Sequence, residues 1–162
     1  PKRVDEPDVN RLARNDTDFP HPVLQAKEDD RTTGVTTATG GSWDQPESPY
    51  AAQYPSNHVY ESESGHIREY DDTTDNERIH EYHKSGTFYE IDKDGNKVIR
   101  IVKDKYEIVA GDEYINVKGD ANLTVNGELN IKADAIRLDG GRFIKMDADK
   151  ISMNPPHADG VD

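Results

Sequence analysis

The polar and apolar positions of this chain change rhythm twice. Before about residue 58 apolar residues are thin, and from His58 they alternate with polar ones. HVYESES, HIREYDD, RIHEYHKSG and TFYEIDKDG each follow a period of two, the pattern of half-buried strands. Turn signals separate them at Ser64-Gly65, Asp71 to Asn76, Ser85-Gly86 and Asp94-Gly95. The alternation predicts a small antiparallel β meander over residues 58–90. Lys97 to Val109 (KVIRIVKDKYEIV) continues in extended form, with Val, Ile and Tyr recurring where a helix would favour Ala, Leu and Glu.

From Val109 the period becomes eight. Val109-x-Gly111, Val117-x-Gly119 and Val125-x-Gly127 repeat one triplet, and Ile115, Leu123 and Ile131 recur at the same interval. Gly95 lies two periods upstream, with Lys103 between. Downstream the marker positions hold Ala135 and Phe143, while Ile136-Arg-Leu138 is echoed by Ile144-Lys-Met146. A fixed period takes precedence over any other fold reading.

In strand geometry eight residues cover about 26 Å, a circumference only about 8 Å across, less than the roughly 10 Å that facing sheets need. An octad is therefore too short for a full turn of a single-chain coil. It suits one edge of a prism, with a corner at each glycine. Gly111, Gly119 and Gly127 would supply corner backbone with φ > 0. The Val, Ile and Leu stripe would face the axis, and Asp, Glu, Lys, Asn and Thr would face water. The run from about Phe88 to Met153 holds about eight octads, which would give one chain fewer than three turns and leave both ends open. Three interleaved chains, each climbing about 14 Å per turn, close the shaft, and such a prism has no lateral edge strands.

The expected fold is all-β: an intertwined homotrimeric triple-stranded β-helix over residues 91–154, preceded by the meander and by an extended linker over residues 1–57. Residues 155–162 form a tip, where Pro155-Pro156 stop the winding. Within the linker, PDVNRLARND places Val9, Leu12 and Ala13 on one side of a short helix. EDDRTTGVTTATGGSWDQPESPYAAQYPS then reads either as a flexible linker or as an extended strap along a partner subunit, anchored by Trp43, Tyr50 and Tyr54.

Composition agrees with pooling of apolar residues between chains. Of 162 residues 32% are hydrophobic and 33% charged, with three Phe and one Trp, too little apolar side chain for one compact core. The net charge of -13 argues against nucleic acid and against anionic membrane surfaces. Absence of cysteine removes disulfides and thiolate chemistry. No apolar run reaches membrane-spanning length and no signal-peptide pattern is visible. A chain that begins at Pro1 rather than Met reads as a fragment or a processed product, with any upstream chemistry out of view.

Candidate chemistry is sparse. With 33 Asp and Glu, carboxylate pairs occur anywhere, and no pocket signature singles out a glycosidase pair. His80 and His83 lack the spacing of a helical zinc site and would point to opposite faces of a strand. DDTTDNE, Asp71 to Glu77, lacks the order of a calcium loop and reads as a hairpin turn. His157 is an axial metal candidate, since three copies around a three-fold axis would offer three nitrogens, set against an exposed tail. No catalytic or cofactor-binding residue and no cofactor is expected.

SGHIREYDDT, then ERIHEYHKSGTFYEIDKDG, then Val-x-Gly octads, resemble the C-terminal part of the central spike protein of contractile-tail phage baseplates. They are also similar to the related type VI secretion spikes, the VgrG proteins. The likeness covers residues 58–132, and more loosely the chain to 153. It implies a homotrimeric needle beneath the tail tube that pierces the bacterial outer envelope. It also implies hub or tail-tube proteins on the N-terminal side, a small tip protein at the C-terminal end, and a place in the virion or in a secretion apparatus. Some phage members carry a barrel and a cell-wall lysozyme domain upstream, for which this chain has no room. The octad corners fall on Gly111, Gly119 and Gly127 and the inward stripe on Val109, Val117 and Val125. Two alternatives stand beside the spike: a trimeric tail-fibre or adhesin stalk, and the non-catalytic end of a spike whose lysozyme lies upstream.

Overall fold

The computed structural model describes residues 22–152. The helix expected over PDVNRLARND, the tip prolines and His157 lie outside the described residues. The chain divides into two units at the Thr124–Val125 boundary.

The first unit is organised by a five-stranded antiparallel sheet, β3 (Asn57–Glu61), β4 (Ile67–Asp71), β5 (Arg78–Tyr82), β6 (Phe88–Ile91) and β7 (Lys97–Arg100), each strand beside its sequence neighbour. The meander thus runs on to Arg100. Ahead of it stand helix α1 (Pro22–Asp29) and a small hairpin of β1 (Val35–Thr36) and β2 (Ser42–Trp43). A helix was not expected there: PVLQAKED has no pronounced apolar stripe, and Lys27 in its last turn is the residue that reaches the sheet.

Three hairpins turn on one device. Ser62 to His66, His83 to Thr87 and Asp92 to Asn96 each close with a pair of backbone bonds. Gly65, Gly86 and Gly95 occupy the left-handed region in them, at φ 90°, 94° and 83°. That conformation costs an L-residue roughly 1–2 kcal/mol, which explains the Ser-Gly and Asp-Gly signals. The β4–β5 connection departs from this, with Asp75 at φ 63°. There Asp71 turns inward, its Oδ1 accepting from Thr73 N at 3.0 Å and from Thr73 Oγ1 at 2.6 Å.

Register lays the buried face in three rows. Asn57, Asp71 and Arg78 form one, and Val59, Glu69, His80, Glu90 and Val98 the next. Ile67, Tyr82 and Phe88 form the third and, with Val59 and Val98, make the apolar core. More than half of this face is charged or polar. The opposite face carries Tyr60, Arg68, Glu81, Tyr89 and Ile99 across all five strands.

Beyond Arg100 the character changes. Among the described residues, 101–152 form no strand ladder with any other part of the chain. The backbone is extended and bends at 102–103, 110–111 and 118–119 in the first unit, and at 126–127, 134, 141–142 and 149 in the second.

Candidate functional site

The octad residues are solvent-exposed in each unit rather than gathered in a pocket. Val109, Val117 and Val125 are 48%, 53% and 43% exposed, and Ile115, Leu123 and Ile131 are 79%, 76% and 70% exposed. Two exposure classes therefore recur every eight residues, in step with the bends. Gly111, Gly119 and Gly127 each sit at a bend. The expectation of φ > 0 at these corners is not met: among the described residues the left-handed glycines are Gly34, Gly40, Gly65, Gly86 and Gly95. An extended chain bends here within ordinary φ. A Cβ built at Gly111, Gly119 or Gly127 meets nothing within 4 Å, so no contact within this chain asks for glycine.

The uncovered sheet face of the first unit carries a groove. Tyr60, Arg68, Tyr89, Ile99 and Ile101 help line an open groove of ≈ 800 Å³. Arg68 Nη2 donates to Glu81 Oε2 at 2.9 Å, a solvent-facing pair of small energetic weight. At the end of the groove the His66 and His83 rings lie 4.3 Å apart. His66 Nδ1 accepts from Lys84 N at 3.4 Å, and His83 Nδ1 accepts from Ser85 N at 3.1 Å. His80 is buried on the other face, as the odd spacing from His83 requires.

That other face holds a buried ionic network. Arg78 donates through Nη1 to Glu90 Oε1 at 2.8 Å and through Nη2 to Glu69 Oε2, with Asp71 Oδ2 4.0 Å from its Nε. Lys27 Nζ donates to Glu90 Oε2 at 2.7 Å and to Ser48 Oγ at 3.1 Å, and stands 4.5 Å from the Phe88 ring centroid. The Arg78 guanidinium lies 5.0 Å from the Tyr50 ring. Burial lowers the Lys27 ammonium below its ordinary value, against the pull of Glu90. Burial, and next the Glu69 carboxylate, raise the Tyr50 phenol.

Sequence reasoning missed this network. The only available signal was that Glu69, His80 and Glu90 occupy the same alternation phase as Ile67, Tyr82 and Phe88. Of the three aromatics proposed as anchors, Tyr50 packs on the sheet, whereas Trp43 and Tyr54 are about half exposed. Among the described residues, no group of three His, Asp or Glu is arranged to hold a metal ion. No described helix is long and apolar enough to cross a membrane.

An unpaired strip with an eight-residue recurrence, reached through a hairpin meander, can be compared with known proteins. The chain is 44% identical over 133 residues to Protein Gp5 of Vibrio phage KVP40, an alignment spanning 66% of this chain. It is 41% identical over 64 residues to the pre-baseplate central spike protein Gp5 of Enterobacteria phage T4, spanning 40% of this chain. The chain is homologous to these phage Gp5 proteins. It spans about a third of the first relative's length (32%) and about a tenth of the second's (11%). No protein-family model matches it.

Proposed function

We infer that this chain is the non-catalytic needle part of the central spike of a contractile-tail phage baseplate, acting as a shaft of three intertwined copies. The observation that carries this reading is the strip itself. Residues 101–152 expose many apolar side chains, and their backbone groups find no ladder partner among the described residues. Backbone N–H and C=O groups need partners wherever water is excluded, and each exposed aliphatic side chain forfeits roughly 1.5–3 kcal/mol of burial. Neighbouring copies would supply both. Three chains, each giving one edge per octad, would stack strands on every face and turn the Val and Leu stripe to the axis.

Close packing of the copies also accounts for glycine where a single chain has room for a Cβ. The backbone of a neighbour would pass there, and the demand would come from it. A shaft of this kind spreads axial load over a continuous ladder of backbone hydrogen bonds. On contraction it would pierce the bacterial outer envelope, with hub or tail-tube proteins above it and a small tip protein below, in the tail baseplate of the virion.

Size-exclusion chromatography with light scattering tests the reading. The expected mass is three times the 18.2 kDa of one chain, and a monomer would overturn it. A peptidoglycan-hydrolysis assay on the same sample should be negative.

A further inference from the structure

Residues 27–53 lie against the buried face of the sheet, and the contacts their described side chains make with it are chiefly polar. Among the described residues the core consists of Val59, Ile67, Tyr82 and Phe88 with Val98 against it, all strand residues. What joins residues 27–53 to the sheet is polar. Lys27 and Ser48 meet Glu90, Tyr50 lies over Arg78, and Gln53 N donates to Thr73 Oγ1 at 2.9 Å. Arg100 Nη1 donates to Asp30 O, and also to Gln45 Oε1 at 3.3 Å. Where residues 53–56 end, the ladder begins: Asp72 N donates to Ser56 O at 3.0 Å, just outside the Asn57–Asp71 pair.

The energetics of such a seam differ from those of an apolar one. Parting apolar surfaces costs free energy in proportion to the area wetted. Parting buried charges returns their hydration, which offsets much of the lost attraction. The sheet side is also self-sufficient. With Lys27 gone, Glu90 still accepts from Arg78 at 2.8 Å, and Arg78 still holds Glu69. Lifting the covering segment therefore leaves Glu69 and Glu90 with Arg78, and it breaks no pairing among the five strands. The remaining groups facing the seam are Asp71 from β4, paired with Arg78 and Thr73, Asn57 from β3, whose Nδ2 donates to Glu69 at 3.4 Å, and His80 from β5, 3.9 Å from Glu69.

We propose that residues 27–53 are a detachable clasp, closed on the sheet by Lys27–Glu90 and Tyr50–Arg78, which opens as a unit about a hinge at residues 53–56 while the five strands stay paired. The clasp then makes whatever precedes it separable from the sheet without unfolding the sheet. This goes beyond the shaft reading and holds for any oligomeric state in which the seam is intact.

Hydrogen exchange read by mass spectrometry on the full chain tests the proposal. Two variants alter only the clasp side, Lys27→Ala and Tyr50→Ala. In each, amides of residues 45–53 should exchange faster on the order of tenfold or more, as loss of a charged or buried contact gives, while β4 and β5 amides stay slower than the clasp amides of the same sample. In the wild type the clasp amides should also exchange with a weaker denaturant dependence than those of β4 and β5, the signature of a sub-global opening. If clasp and sheet amides exchange with the same protection and the same denaturant dependence, or if neither variant speeds the clasp, the two form one cooperative unit and the proposal is overturned.

Discussion

Lys27 and Glu90, 63 residues apart in the chain, meet at 2.7 Å with both side chains nearly sealed from water. Glu90 is not Lys27's alone, because its other oxygen accepts from Arg78 at 2.8 Å. Arg78 is thus the centre of the arrangement, holding carboxylates from β4 and β6 at once. Replacing Arg78 by Met should cost about 3–5 kcal/mol, since it strips buried carboxylates of their cation. Lys27→Met should cost clearly less, because Glu90 keeps Arg78. Urea unfolding followed by circular dichroism would rank the two, and the reverse order would contradict this assignment of roles.

Tyr50 sets an alkaline limit. Burial, followed by the Glu69 carboxylate, raises the phenol above its ordinary 10.0 in the docked state, so the undocked strap ionises first. Its support for docking is complete below pH 10 and is lost as pH climbs from there through the raised value. Lys27 runs the other way: burial, opposed by Glu90, lowers its docked value below 10.5, so the docked ammonium gives up its proton at lower pH than the undocked one. A tyrosinate absorbance titration of wild type minus Tyr50→Phe should show a midpoint above 10.0.

Asp92 anchors the β6–β7 turn, accepting from Asn96 N at 2.8 Å, Asn96 Nδ2 at 2.9 Å and Asp94 N at 3.0 Å. The Asn96 side-chain bond is the chief reason its carboxyl is held below 3.8. Support for the turn is present above that value and fades as pH falls through the lowered one. Carboxyl chemical shifts recorded against pH should place Asp92 among the late-protonating groups.

Two glycine substitutions should separate chain from assembly. Gly95→Ala puts a Cβ at φ 83° and should lower sheet stability by roughly 1–2 kcal/mol. Gly119→Ala meets nothing within 4 Å in its own chain; on the shaft reading it should leave the sheet intact and weaken association. Thermal melts and light scattering on both variants would show the crossover.

Leu123→Asp addresses the strip directly. Leu123 is solvent-exposed in the single chain, so a lone chain would lose nothing by the change. If neighbouring copies bury it, a carboxylate there should abolish the trimer while circular dichroism retains the sheet signal. An unaltered trimer mass and melt would show that this position faces water in the assembly.

The sequence made some of this legible and hid the rest for physical reasons. Ser64-Gly65, Ser85-Gly86 and Asp94-Gly95 mark turns because a left-handed residue is needed locally, so composition alone reveals it. The period of two in RIHEY was also readable, but not which side is buried. Arg78, His80 and Tyr82 go inward and Ile79 outward. Alternation identifies faces; here charge pairing across strands, which depends on register, decides the burial. The docking of Lys27 had no local signal, because its partner lies on β6. The glycines of the eight-residue recurrence were legible as a pattern, yet the expected φ > 0 failed, since a bend in extended chain does not need it.

The hairpins and the strip run on different clocks. Each strand of the meander pairs with its sequence neighbour across a short loop, so contacts close locally and at a rate independent of concentration. Among the described residues, 101–152 have no strand ladder to close on, and on the shaft reading their ordering waits for collision with other copies. Doubling the chain concentration would leave the first phase unchanged and quicken the second. During that interval the apolar residues beyond Arg100 stay exposed while the sheet is already formed, the circumstance in which off-pathway association competes. Synthesis of several copies close together would shorten that exposure.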